Sequence, residues 1–365
     1  MKRIFNFSAG PASLPYSVLE EASKGVLEIN GSGMSILEVS HRGKDYEAIH
    51  YDAMQRLLRV LGLNSDEYTV LFLGGGASQQ FAMLPMNFLR QEQTADYINT
   101  GEWGTKAIKE ARKFGNVNVA ASSEEAKFAF IPDHLTLTPD AQYVHITTNN
   151  TIEGTEWPTL PDTNGLPLVA DVSSDIMARA LDYSKLSLFY AGAQKNAGPA
   201  GVTLVVARKA YLEKASDDIP AILSYKTHAK TDSLYNTPPV FAIYIVGLVL
   251  KWIEEQGGLS VVEAQNRKKA GLVYDALDAY PDFYEPTVTH KADRSLMNVT
   301  FRLKDTSKNP DLDKDFLTGA QERHMDGLKG HRSVGGFRAS IYNAFPLEGC
   351  QALYEYLHAF ARSNA

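Results

Sequence analysis

The sequence predicts an α/β protein: a large domain with a mainly parallel seven-stranded sheet covered by helices, then a smaller α+β C-terminal domain. Three observations predict it. Up to about residue 256, short apolar β-type runs alternate with helical patterns. Several of those runs are apolar on both faces, as in a sheet covered on both sides. At Gly257-Gly258, which reads as a helix stop, the pattern changes.

In chain order, β-type runs fall at 69–73, 95–99, 117–121, 143–147, 166–170, 186–190 and 202–207. Helical periodicity covers 16–30, 45–61, 79–89, 105–114 and 239–256. Strand–helix–strand alternation implies right-handed crossovers. Beyond the glycine pair, a long amphipathic helix fits 260–279, strands fit 297–301 and 335–342, and helices fit 311–325 and 347–363. The expected division is a large domain at 15–257 and a small one at 258–365, with 1–14 associated. The irregular stretch from Asn6 to Leu14 is expected to cross between them.

The 365 residues are 44 % hydrophobic and 22 % charged, ordinary for a globular chain able to bury a large core. The net charge of −7 argues against a nucleic-acid or anionic-membrane binder, so any anion site must be built locally. The single cysteine, Cys350, excludes an internal disulfide and suits a reducing compartment. The N-terminus has no apolar core of a signal peptide. The most apolar window, 240–253, is too short to span a bilayer and ends in Glu254-Glu255. A soluble, cytoplasmic protein is expected.

Six constellations could carry chemistry. Lys195 lies in Tyr190-Ala-Gly-Ala-Gln-Lys195-Asn-Ala-Gly-Pro-Ala-Gly201, among small residues between two apolar runs. It reads either as a solvated loop cation or as an amine nucleophile that holds an aldehyde cofactor as a Schiff base. Gly74-Gly75-Gly76-Ala77-Ser78 links a strand to a helix. That reads as a phosphate cradle at a helix N-terminus or as a tight turn with Ser78 as N-cap. It is neither a P-loop nor the dinucleotide fingerprint, since Gln79 stands where the third glycine belongs.

Asp171 ends a buried run, where it could pair with a pyridinium nitrogen or cap a following helix. Trp103, flanked by Gly101 and Gly104, could stack on a planar ring or belong to the core. His41-Arg42 and His331-Arg332, with Arg338 nearby, fit a doubly anionic substrate or surface ion pairs. Asn236-Thr237-Pro238-Pro239 could cap the apolar helix or offer donors to a phosphate. Metal motifs and a Gly-x-Ser-x-Gly nucleophile elbow are lacking.

These strings, with Phe5-Asn-Phe-Ser-Ala-Gly-Pro11, Ser40-His-Arg-Gly-Lys44 and Gly330-His-Arg-Ser-Val-Gly-Gly-Phe-Arg338, closely resemble the phosphoserine aminotransferases. These are class V aminotransferases among the fold-type I pyridoxal-phosphate enzymes. The similarity runs from the first residues to nearly the last. It implies transfer of an amino group between L-glutamate and 3-phosphohydroxypyruvate, giving O-phospho-L-serine and 2-oxoglutarate in serine biosynthesis. It also implies the related step to 4-phosphohydroxy-L-threonine in vitamin B6 synthesis.

The resemblance makes pyridoxal 5′-phosphate the cofactor and Lys195 its Schiff-base residue. Asp171 is implied to pair with the pyridinium nitrogen, Trp103 to stack on the ring, and Thr151 to hydrogen-bond its hydroxyl side. Gly76, Ala77, Ser78 and Gln194 would hold the phosphate, with Asn236 and Thr237 reaching it from the partner of a homodimer. His41, Arg42, His331, Arg332 and Arg338 would bind the substrate's carboxylate and phosphate, some across the interface. Some family members carry an arginine in the glycine loop where this chain has Ala77-Ser78.

Rival readings are a cysteine desulfurase, a class V aminotransferase using an unphosphorylated keto acid, and a non-catalytic phosphate-metabolite binder. The first needs a mobile cysteine, and Cys350 sits on the apolar face of the last helix. Two His-Arg pairs speak against an unphosphorylated monocarboxylate.

Overall fold

The computed structural model describes residues 3–304 and 309–364; the ends of the expected domain ranges at 1–2 and 365 lie outside them. The elements run β1 (Phe5–Asn6), α1 (Tyr16–Leu27), α2 (Lys44–Leu61), β2 (Tyr68–Leu73), α3 (Gly76–Phe88), β3 (Thr94–Asn99), α4 (Glu102–Ala111) and β4 (Asn116–Ser122). Next come β5 (Val144–Thr147), β6 (Leu168–Asp171), β7 (Leu186–Gly192), β8 (Thr203–Arg208), α5 (Lys209–Leu212), α6 (Tyr225–Lys230) and α7 (Val240–Glu255). The last are α8 (Leu259–Asp278), β9 (Tyr284–Pro286), β10 (Asn298–Leu303), α9 (Leu312–Glu322), β11 (Met325–Asp326), β12 (Phe337–Ser340) and α10 (Leu347–Asn364).

All seven expected β-runs form one sheet, in the order β2-β8-β7-β6-β5-β3-β4. Only β8 is antiparallel to its neighbours, so the sheet is mainly parallel. β5 and β6 are buried along their whole length, as strands with helices on both faces must be. One apolar cluster packs α2 and α7 on one face, and a second packs α3 and α4 on the other.

The parallel order has a chemical consequence. The C-terminal ends of β2, β3, β5, β6 and β7 all reach one edge of the sheet. That edge delivers Gly74-Gly75-Gly76, Gly101-Glu102-Trp103, Asn149-Asn150-Thr151, Asp171 and the Lys195 loop to one place. Open parallel sheets bind ligands at this edge.

A three-stranded antiparallel sheet, β12-β10-β9, holds a separate apolar core with α8, α9 and α10. Cys350 is wholly buried in that core, and burial pushes its thiol up to about 12, which leaves no ready thiolate. The segment before Leu14 makes contacts to both sides. β1 pairs with β11 and Phe7 enters the second core, while the Ala12 amide donates to the Gln194 carbonyl, 2.9 Å away.

Three of the alternative local readings are excluded, for identifiable reasons. Helix α3 begins at Gly76, because Gly75 takes a left-handed φ of 78° that a serine cap does not need; Ser78 therefore lies inside the first turn. Asn236 and Thr237 do not cap α7, whose first turn is set by Pro238 and Pro239. No helix follows Asp171; its Oδ1 accepts the Ser173 amide at 2.9 Å in a local turn. Strands β1, β9 and β11 and the short helices α5 and α6 have no periodicity long enough to read in sequence. No helix among the described residues is long and apolar enough to cross a membrane.

Candidate active site

Lys195 sits on the turn after β7, where Gly192 and Ala193 leave room for the chain to bend back toward Ser173. The Gly192 amide donates to Ser173 Oγ at 3.1 Å. Lys195 Nζ donates to Thr151 Oγ1 at 2.5 Å and lies 5.4 Å from the centre of the Trp103 ring. Burial pushes the ammonium down to about 8, against the pull of the Asp171 carboxylate; the Arg338 charge pushes the same way as burial. The lysine thus gives up its proton far more readily than a solvated one, while still mostly protonated at neutral pH.

Asp171 is 4 % exposed, one strand away. Burial raises its carboxyl and the Lys195 charge pulls it back. Only Oδ1 is hydrogen-bonded among the described residues, so the other oxygen is free for a cationic partner. A buried carboxylate left half-satisfied is costly unless such a partner arrives.

Trp103 is carried by the first turn of α4. Its indole Nε1 is buried without a partner, an orphan donor in the site. The ring is only partly covered: Phe81 lies 6.4 Å away and the Lys106 ammonium 4.4 Å away. At the start of α3, the amides of Gly76, Ala77 and Ser78 find no backbone acceptor among the described residues. Gly76 has a φ of 63°, and a Cβ built there would point into open space. This cradle suits an oxyanion, since α3 has no acidic residue in its first turn.

The small sheet contributes Arg338. Register places it opposite Thr300, whose Oγ1 donates to the Glu153 carbonyl at 2.6 Å. Arg338 Nη1 in turn donates to the Thr151 carbonyl at 3.1 Å, and its Nε is buried without a partner. His331 neighbours Arg338, Arg332 and Lys106, and burial and their charges hold its imidazolium below the ordinary range. Arg332 is exposed and free of ion pairs among the described residues. A cationic field therefore faces Lys195 from the small sheet.

The remaining expected residues stand elsewhere in the single chain. His41 and Arg42 precede α2, and neither side chain bonds to Lys195, Asp171 or Arg338; His41 Nε2 is buried and unpartnered. Asn236 and Thr237 are exposed, the former bonded only to the neighbouring carbonyl at 3.2 Å.

Three groups escape sequence reasoning. Glu153 is 2 % exposed; its Oε1 accepts the Glu102 amide at 2.9 Å and so caps α4 from outside. Burial pushes its carboxyl up to about 7, with Arg338 pulling against it. Its one sequence signal is its position two residues beyond Thr151. Arg179 is buried between Glu156, 2.9 Å away, and Asp175, 3.6 Å away, behind the site. Lys269 is buried with Nζ donating to the carbonyls of Ile341, Tyr342, Asn343 and Phe345. It fixes the loop whose Asn343 amide donates to Asn196 Oδ1, beside Lys195.

Comparison with known proteins agrees with this geometry. The family model described as "Aminotransferase class-V" matches residues 4–353. The chain is 56 % identical to the phosphoserine aminotransferase of Desulfosudis oleivorans, over 100 % of this chain and 99 % of that one. It superposes on the solved phosphoserine aminotransferase of Bacillus circulans subsp. alkalophilus with a TM-score of 0.96 at 50 % identity, covering 100 % of both chains. A phosphoserine aminotransferase solved to follow radiation damage of the Schiff base superposes at 0.95 with 46 % identity, covering 99 % of this chain and 100 % of that one.

Proposed function

We infer that this chain, which belongs to the phosphoserine aminotransferases of the class V family, builds a pyridoxal 5′-phosphate site around Lys195. The enzyme transfers the amino group between L-glutamate and 3-phosphohydroxypyruvate. The observation that carries the site assignment is the meeting of Lys195 Nζ with Thr151 and the Trp103 ring, one strand from the buried Asp171.

The residues fit the cofactor. The open cradle at Gly76, Ala77 and Ser78, with Gln194, would hold its phosphate. The half-satisfied Asp171 would take the ring nitrogen, the orphan-donor Trp103 would cover the ring, and Thr151 would meet its hydroxyl. When bound, the cofactor supplies an aldehyde for amine capture and a ring that takes up electron density. Lys195, desolvated and so more easily deprotonated than a solvated lysine, would serve as the attaching amine and, once free, would carry a proton to and from the substrate carbon. Asp171 holds a cationic partner charged from a low-dielectric pocket. Arg338 takes a substrate carboxylate while its Nη1 stays tied to Thr151.

His331 and Arg332 extend the anion field toward the substrate phosphate. A second copy of the chain would complete it: Asn236 and Thr237 would meet the cofactor phosphate, and His41 and Arg42 the substrate, in a homodimer. Exposure of Leu37 and Tyr235, which adjoin these segments in the chain, supports that assembly. Residues 15–257 then form the cofactor-holding domain, and 258–365 with 1–14 the smaller one. A free buried cysteine supports a cytoplasmic place for the enzyme. The same cations would accept the longer phosphorylated keto acid of vitamin B6 synthesis.

The visible spectrum of the purified enzyme tests this reading. Its chromophore is expected to bleach with L-glutamate and return with 3-phosphohydroxypyruvate but not with pyruvate. A chromophore indifferent to glutamate, or restored equally by pyruvate, contradicts it.

A further inference from the structure

The segment that ends in Asn236-Thr237 begins with two strained residues. Asp232 has a φ of 47° and Ser233 a φ of 66°, left-handed conformations that side chains other than glycine rarely adopt. Such strain persists only where the surroundings over-determine it. Here they do, from two elements. On α2, the buried His50 puts Nε2 2.7 Å from the Asp232 carbonyl, and Tyr51 OH donates to Asp232 Oδ2 at 3.0 Å. On the edge strand β2, the Phe72 amide, which β8 cannot reach, donates to Ser233 Oγ at 2.9 Å.

The ring of His50 is fixed in one protonation pattern. A carbonyl partner requires that Nε2 carry the hydrogen, so Nδ1 accepts from Tyr46 OH, 3.0 Å away. Burial favours the same neutral form. Phe72 packs edge-on against the imidazole at 5.2 Å, which holds the ring plane. The result is one rigid unit of α2, β2 and the 232–233 turn. Strand β2 is also the strand that runs into the Gly76 cradle.

We propose that His50 and Tyr51 are positioning residues that lock the 232–233 turn, so that Asn236 and Thr237 stand pre-set for a cofactor phosphate in the partner chain. This rests on the phosphate-binding reading of Asn236 and Thr237 given above. Nothing in the bonds of the exposed Asn236 itself would hold it in place. The segment is held from its two ends, by the turn four residues earlier and by Pro238-Pro239 at the start of α7, and ordering before binding is what saves affinity.

The test is the preference of the full-length protein, stripped of cofactor, for pyridoxal 5′-phosphate over pyridoxal, which lacks the phosphate. Asp232→Ala, His50→Phe and Tyr51→Phe are compared with wild type, with sedimentation confirming assembly. Asp232→Ala and His50→Phe are expected to weaken pyridoxal 5′-phosphate binding about tenfold and pyridoxal less than about twofold. Tyr51→Phe, a partly exposed site that loses one hydrogen bond, is expected to lose about threefold and to fold normally. Asp232→Asn keeps an acceptor and tolerates the left-handed backbone, so it should retain wild-type preference. Equal weakening of both ligands, no change in either, or collapse to single chains overturns the proposal. Asn236→Ala separates the two layers: if it leaves the preference intact while Asp232→Ala removes it, the reading of Asn236 fails rather than the lock. If Asn236→Ala removes the preference and the lock variants do not, the lock fails.

Discussion

Two sets of side chains expected to serve one reaction are built in opposite ways. Lys195, Thr151, Asp171 and Arg338 lie at a sheet edge, buried or partly buried and joined to one another or to neighbouring loops. Asn236, Thr237 and Arg42 are exposed and make no bond to that first set. The first set pays for desolvation with mutual contacts, and its titratable groups are shifted accordingly. The second leaves its donors to water in the single chain. A polar group held on a built support but left unsatisfied is what a shared site looks like from one side. Interface reasoning therefore needs the support as well as the exposed residue.

The contrast can be broken at several points, beginning with the largest effect. Lys195→Ala is expected to reduce transamination by at least about four orders of magnitude, because on the proposed reading it removes both the attaching amine and the proton carrier. Steady-state turnover with glutamate and 3-phosphohydroxypyruvate measures it, and residual activity within tenfold of wild type would remove Lys195 from the chemistry. Arg338→Ala is expected to lower kcat/KM about a hundredfold or more, as for a lost charge-assisted pair in a partly desolvated site. Arg338→Lys should recover only part, since a lysine cannot hold Thr151 and a carboxylate with one planar fork.

Arg42→Ala should cost less, about tenfold, because an exposed cation binds a solvated anion weakly. The loss should appear in KM for the phosphorylated substrate and not in KM for glutamate. The smallest effect belongs to Glu153→Gln. The amide oxygen still accepts the Glu102 amide, so folding should be unchanged. Its carboxyl, raised to about 7, is neutral below that pH and anionic above it, so the field at Arg338 weakens as pH rises. KM for glutamate in wild type should therefore climb a few-fold from pH 6 to 8. In Glu153→Gln that climb should disappear, and an identical profile would exclude the carboxylate.

How much was legible in the sequence follows from the same contrast. The seven strands were readable because a sheet covered on both faces needs continuous apolar runs. Lys195, Asp171 and the glycine cradle were readable because each stands at the end of such a run, where side chains leave the sheet for the site. The strained 232–233 turn was not: aspartate and serine show no left-handed preference strong enough to read, and their partners lie some 160 to 180 residues away. Glu153, Arg179 and Lys269 were invisible for a related reason. A lone charged residue looks like a solvated one until its partners from other elements fold around it. Helix α3 starts at Gly76 rather than Gln79 because a glycine, not a side-chain cap, sets its first turn.

The claim that one chain's buried set is completed by another chain's exposed set has a direct test. Lys195→Ala and Arg42→Ala proteins, each weakly active or inactive alone, are unfolded, mixed in equal amounts and refolded together. If the sites are shared, each mixed dimer contains one intact pair, and activity should rise to roughly a quarter of wild type on random pairing. If the mixture shows only the average of the two variants measured alone, Arg42 serves its own chain and the account of a shared site is wrong.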